Sequence, residues 1–122
     1  MSEQKRTAVF GASIKPERYS NRAINMLREY GHPVEAIGLR EGRVADVDIQ
    51  TGLPELKDIH TVTMYLGPQN QDPYYDYIIG LNPRRVIFNP GTENPAFAEK
   101  LREKGIDVVE SCTLIMLGSG AF

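Results

Sequence analysis

Thr7-Ala8-Val9-Phe10-Gly11-Ala12-Ser13 decides the fold of this chain. Thr7–Phe10 is a short run of apolar and β-branched residues, the composition of a buried strand. Gly11 then lets the backbone turn. A helical pattern begins at Asn21 and runs to Tyr30, with Ala23, Ile24, Leu27 and Tyr30 at helical spacing. A strand that passes through a glycine turn into a helix presents exposed N–H groups and the positive end of the helix dipole to an anion. Lys15 and Arg18 add positive charge to the same loop. Gly11, Ala12 and Ser13 are therefore the expected core of a phosphate grip. Ser20 is the expected N-cap of the helix, and Gly31 is placed to end it.

Strand-like and helix-like segments alternate along the rest of the chain. Val34–Leu39, Thr61–Leu66, Arg85–Phe88 and Asp107–Val109 read as further strands, five in all with Thr7–Phe10. Asp72-Pro73 reads as a helix N-cap followed by proline at the first helical position, and Tyr74, Tyr77, Ile78 and Leu81 give that helix an apolar face. Asn94-Pro95 repeats the signal for a helix through Phe97 and Leu101 to Gly105. Arg40–Asp58 is polar and irregular and is expected to wrap the surface, with Leu53–Lys57 as one possible helical turn. Thr113–Leu117 is either a last short helix or a sixth extended segment. Alternation in units of roughly 25–30 residues implies βαβ crossovers and a parallel sheet. The expected architecture is one Rossmann-like domain over residues 1–122, a mainly parallel five-stranded sheet with helices on both faces.

Composition narrows the function classes. The chain has 122 residues, 41% hydrophobic and 25% charged, which suits a single globular core. A net charge of −2 argues against a general nucleic-acid binder. One cysteine excludes an internal disulfide and fits a reducing compartment. No apolar run approaches the roughly 20 residues of a membrane span, and Met1–Arg6 lacks the apolar stretch of a signal peptide. A cytoplasmic protein is expected.

In open α/β sheets a ligand sits beyond the carboxyl ends of the strands, near the point where strand order reverses. The segments that follow the expected strands are Gly11-Ala12-Ser13, Arg40, Gly67-Pro68-Gln69-Asn70, Asn89–Asn94 and Glu110–Thr113. They are rich in glycine, amides and hydroxyls and poor in acid–base groups. The first loop lacks the second and third glycines of the dinucleotide fingerprint. Arg40 stands where an NAD site would carry an acidic residue. An arginine there suits a phosphorylated ribose, as in NADP or in the 3′-phospho-ADP of coenzyme A.

Gly11-Ala12-Ser13 followed by Lys15-Pro16-x-Arg18-Tyr19-Ser20-Asn21 resembles the opening of the stand-alone CoA-binding domain proteins. These are small relatives of the nucleotide-binding domain of the succinyl-CoA synthetase α subunit. Gly31-His32-x-Val34, the stretch from Val86 to Pro95 and Cys112-Thr113-Leu114 fit the same family, so the resemblance covers nearly the whole chain. It implies a Rossmann-like fold and a coenzyme A or acyl-CoA ligand, with no assigned reaction. The family's second strand often ends in Asn-Pro before the basic residue, whereas this chain reads Gly38-Leu39-Arg40. The implied binding residues are Gly11, Ala12, Ser13, Lys15, Arg18, Tyr19, Ser20, Asn21, Arg40, Gly67, Pro68, Asn89, Pro90, Gly91, Thr92, Glu93 and Cys112.

Plain structural readings stand beside these. Ser20 and Asn21 also serve as helix caps, Lys15 and Arg18 as solvated charges, and Asn89–Asn94 as a turn that starts a helix. Cys112 reads either as a small buried hydrophobe or as a thiol near the pantetheine end, able to form a mixed disulfide with the coenzyme. His32 and His60 precede strands and belong at the edge away from the ligand. No metal site or catalytic triad emerges from the residue spacing. The favoured function is a binding module without independent catalysis, its partner a small molecule, with no nucleic acid or membrane. The alternatives are an NADP-dependent oxidoreductase or an accessory subunit of an acyl-CoA ligase, either of which would need a protein partner.

Overall fold

The computed structural model describes residues 3–122. Its centre is β1 (Thr7–Phe10), buried along its whole length. β2 (Val34–Ile37) pairs parallel to it on one side and β5 (Thr61–Met64) on the other, with Thr7 opposite both Val34 and Thr61. β6 (Arg85–Phe88) and β7 (Asp107–Glu110) continue the parallel run beyond β5. β-Branched and aromatic residues dominate β1, β5 and β6, which are covered on both faces as parallel sheets require, while β7 at the edge is only half-buried.

Two further strands lie within 40–58, the segment expected to be irregular. β3 (Gly42–Val44) and β4 (Val47–Gln50) form a hairpin, with β4 parallel to β2 and β3 antiparallel at the edge. The sheet thus has seven strands rather than five, in the order β3-β4-β2-β1-β5-β6-β7. The expected polarity is real, but it alternates: Val44, Val47 and Ile49 are buried while Arg43 and Asp48 are exposed, the pattern of strands covered on one face. To enter β3 the chain must reverse at residues 39–41, and this brings Arg40 to the carboxyl rim.

α1 (Tyr19–Glu29) and α4 (Thr113–Ser119) cover one face of the sheet, where Val9, Ile24, Leu27, Ala36 and Leu117 pack together. α2 (Tyr75–Leu81) and α3 (Pro95–Glu103) cover the other, over Phe10, Met64, Ile78, Phe88, Phe97 and Leu101. Each fully buried leucine or isoleucine here is worth about 1.5–3 kcal/mol against exposure. The result is the three-layer Rossmann-like arrangement.

Helix starts depart from expectation in three places. Arg18, not Ser20, is the N-cap of α1, and Ser20 is buried inside the first turn. The cause is a preceding turn, Arg18 N–H to Lys15 C=O, which starts the helix early. Asp72-Pro73 opens a 3₁₀ turn (Asp72–Tyr74) that leads into α2, so Asp72 lies inside a turn rather than capping it. Leu53–Lys57 is not helical. Asn94 does cap α3, its side chain accepting the Phe97 N–H at 3.1 Å. Residues 113–117 take the helical option.

Candidate functional site

β1 is the switch point of this sheet, since the chain continues to β2 on one side and β5 lies on the other. Gly11 leaves β1 at φ +94°, and a Cβ on it would stand 3.1 Å from the Tyr65 carbonyl carbon. Gly38 is needed just as strictly, because a Cβ there would fall 2.4 Å from the Ala12 carbonyl oxygen. These two glycines let the first loop lie against the ends of both neighbouring strands.

The N–H groups of Gly11 and Ala12 both donate to the Ile37 carbonyl, at 2.9 and 3.0 Å. They anchor the loop rather than face a ligand. The free donors come later. Among the described residues, the N–H groups of Ser13 and Ile14, and those of Tyr19 and Ser20 in the first turn of α1, meet no protein acceptor. Asn21 fixes this geometry by donating from its side chain to the Ser13 carbonyl at 2.9 Å. The Ser13 hydroxyl in turn accepts the Lys15 N–H at 3.1 Å.

A cleft of about 540 Å³ opens at the switch point. It gathers Gly11, Ala12, Ser13, Lys15 and Arg18 from the first loop, Arg40 from the reversal before β3, and Gly67 from the segment after β5. Lys15, Arg18 and Arg40 are exposed, and among the described residues none is in a salt bridge. The apolar side chains of Ile14 and Leu39, 59% and 86% exposed, also line the cleft. A second hollow of about 530 Å³ runs along the β7 edge, from Arg102 and Gly105 to Val109. It is shallow and shares no residue with the rim, so the switch-point cleft is the better candidate site.

The remaining expected residues lie outside this cleft. Tyr19 points outward, its ring under the Arg22 guanidinium at 5.4 Å, while Ser20 and Asn21 are buried in the first turn of α1. Asn89 is spent inside the fold. Its amide donates to the Thr63 hydroxyl and the Met64 carbonyl, both at 2.8 Å, and its oxygen accepts the Thr113 N–H at 2.8 Å. Thr92 is buried as well, with both its N–H and its hydroxyl on the Asn89 carbonyl. Pro68, Pro90, Gly91 and Glu93 are exposed, and Glu93 accepts the Gly91 N–H. Cys112 is half-buried at the start of α4.

Two residues that sequence reasoning passed over organise the rim. Gln71 is wholly buried and donates to the Leu66 and Thr92 carbonyls, at 2.9 and 2.8 Å, while accepting from Asn94. It locks the segment after β5 to the segment after β6. In sequence it sits in the polar run Gln69-Asn70-Gln71, which reads as surface. Tyr65 lines the cleft, and burial pushes its phenol up to about 12. The sequence reads it as part of a strand, but β5 ends one residue earlier. His32 and His60 lie at the opposite end of the sheet, where His32 Nδ1 accepts the Lys5 N–H at 3.0 Å.

Among the described residues no cluster of histidine, cysteine and carboxylate side chains suited to a metal is present. Among the described residues no helix is long and apolar enough to cross a membrane.

Solved structures carry the same fold. An uncharacterized protein is 42% identical, with a TM-score of 0.96 over 99% of this chain and 100% of its own. A hypothetical protein from Pyrococcus horikoshii OT3 is 25% identical, with a TM-score of 0.86 over 95% of this chain and 83% of its own. A Thermus thermophilus protein at 24% identity, with a TM-score of 0.85 over 98% and 91% of the two chains, shares the fold. No curated protein matches. The family pattern of the CoA binding domain fits residues 5–118, which include every rim segment described above. With the glycine turn, the switch-point cleft and this match across almost its whole length, the chain belongs to the CoA-binding domain family.

Proposed function

We propose that the chain binds coenzyme A, free or acylated, through its 3′-phospho-ADP half, and acts as a binding or regulatory module without a reaction of its own. The observation that carries this reading is the set of three cations, Lys15, Arg18 and Arg40, around the switch-point cleft, none held by a protein carboxylate among the described residues. Free N–H groups at Ser13, Ile14 and the first turn of α1 add donors suited to a diphosphate. Arg40 takes the ribose phosphate, and Ile14 and Leu39 offer apolar surface to the adenine. The arm of the ligand leaves past Gly67 and Pro68 towards Pro90, Gly91, Glu93 and Cys112. Asn89 and Thr92 support that loop from below.

Isothermal titration with coenzyme A, dephospho-CoA and NADP tests the assignment. Coenzyme A should bind most tightly, and its affinity should fall as salt rises, because exposed phosphate contacts are screened. Equal affinity for coenzyme A and dephospho-CoA would remove the 3′-phosphate site. Tighter binding of NADP would favour the oxidoreductase reading, since Arg40 also suits a 2′-phosphate. Binding of none of them would end the proposal.

A further inference from the structure

The Tyr65 hydroxyl is the one buried side-chain polar atom among the described residues that lacks a hydrogen-bond partner. Buried hydroxyls are nearly always paired, so an orphan calls for an explanation. Its surroundings are polar. The hydroxyl lies beside those of Thr113 and Thr63 and near the Cys112 thiol, but those threonines are bonded to each other at 2.7 Å. Thr63 also accepts from Asn89. The group thus has polar neighbours but meets none of them in hydrogen-bond geometry.

The ring has a second neighbour. Tyr65 forms a wall of the switch-point cleft, and its backbone N–H is fixed by the Phe10 carbonyl at 2.9 Å. Gly11 passes close enough to the Tyr65 backbone that no side chain fits between them. The residue therefore stands between the phosphate loop and the start of α4, where the arm of a bound coenzyme would pass. Because the hydroxyl meets Thr113 and Thr63 in no good hydrogen-bond geometry, turning the ring out towards the cleft gives up only weak contacts with those two hydroxyls.

We propose that Tyr65 is a further ligand-binding residue of this cleft, turning outward to donate its hydroxyl to a carbonyl oxygen on the arm of the bound molecule. This rests on the coenzyme A reading. Two carbonyl sources share that chemistry, the amides of the pantetheine arm and the thioester of an acylated coenzyme. A phenol, with an ordinary value of about 10, is protonated at physiological pH, so it acts as a donor and not as an anion.

The test is Tyr65→Phe, with thermal melting of the free protein and titration of acetyl-CoA, coenzyme A and 3′-phospho-ADP alone. The variant should melt at the same temperature as the parent or higher, since it removes an unsatisfied group. Coenzyme affinity should fall about fivefold to tenfold, while 3′-phospho-ADP stays within about twofold. Loss with acetyl-CoA alone assigns the thioester carbonyl, and loss with both coenzymes assigns a pantetheine amide. Unchanged affinity for both coenzymes, or equal weakening of all three ligands, overturns the proposal. A drop in melting temperature without loss of affinity also overturns it and identifies a hydroxyl satisfied by internal water. If the parent binds none of the three, it is the coenzyme A reading itself that fails.

Discussion

Arg40 and Asn89 are both polar residues just past a strand, and the structure gives them opposite work. Arg40 is exposed at a chain reversal and is in no salt bridge among the described residues. Asn89 is 2% exposed and uses both amide hydrogens and its oxygen inside the protein. Arg40→Ala should therefore leave thermal stability unchanged and weaken coenzyme A about tenfold, the worth of one charge-assisted contact. Dephospho-CoA should be affected much less. Calorimetric titration of both ligands checks this, and equal losses would move Arg40 away from the ribose phosphate. Asn89→Ala should act through the fold. It strands buried groups on β5 and on the first turn of α4, at a cost of about 3 kcal/mol, or roughly 10 °C of melting temperature. A variant that melts normally but no longer binds would make Asn89 a ligand contact instead. The sequence placed both residues at the rim correctly, because position after a strand is legible. It left their roles open, because an amide serves a ligand and a backbone equally well.

At the scale of elements, the five strands β1, β2, β5, β6 and β7 were readable because each carries a run of apolar or β-branched residues bounded by turn formers. The β3–β4 hairpin was not. Its loop is Ala45-Asp46, without the glycine that usually marks such turns, and Ala45 itself takes a positive φ of 56°. Asp46 is held by a bidentate pair with Arg28 of α1, at 2.8 and 2.9 Å, a contact no local pattern announces. Tyr65 escaped for a similar reason, since a tyrosine after Thr63-Met64 looks like more strand. The junction of elements at Gly38 is the sharpest constraint here. Gly38→Ala forces the new methyl against the Ala12 carbonyl, so it should cost about 1–3 kcal/mol. It should also displace the loop after β1 and weaken coenzyme A in titration. Gly80→Ala, in α2 with nothing within 4 Å of the new methyl, should instead stabilise by roughly 0.5 kcal/mol through helix propensity. Chemical denaturation of the pair checks the contrast. Equal effects would show that β1 and β2 are looser at the rim than the close approach implies.

The molecule as a whole separates its two tasks along the strand axis. The carboxyl end of the sheet carries the cleft, and the amino end sets the cations Lys5, Arg84 and Arg85 around His32 and His60. There Phe122 packs against His32 at 4.9 Å and under the Arg85 guanidinium at 4.5 Å, while Arg85 donates to the Phe122 carbonyl. Burial holds the His32 imidazole below its ordinary 6.5, and the charges of Lys5, Arg85 and His60 push it the same way. Burial followed by Arg85, Lys5 and Arg84 does the same to His60, with Glu3 opposing. Both histidines are therefore neutral in the folded state at neutral pH, and the His32 Nδ1 lone pair is free to accept the Lys5 N–H. The unfolded chain takes up protons on these imidazoles first as pH falls. Their contribution to stability is complete above 6.5 and is lost as pH drops from there through the lowered folded values. Urea unfolding between pH 8 and 5, at roughly half-unit steps, should show stability falling below about 6.5. His32→Gln should lower the plateau, because it disturbs the Lys5 contact, and should also reduce the slope. The slope identifies the titration. An unchanged slope in the variant would assign the acid sensitivity to other groups. Because these histidines lie at the end away from the cleft, coenzyme affinity at fixed ionic strength should not track this titration while the protein stays folded. An affinity that falls in step with stability over the same range would mean that the two ends of the sheet are coupled.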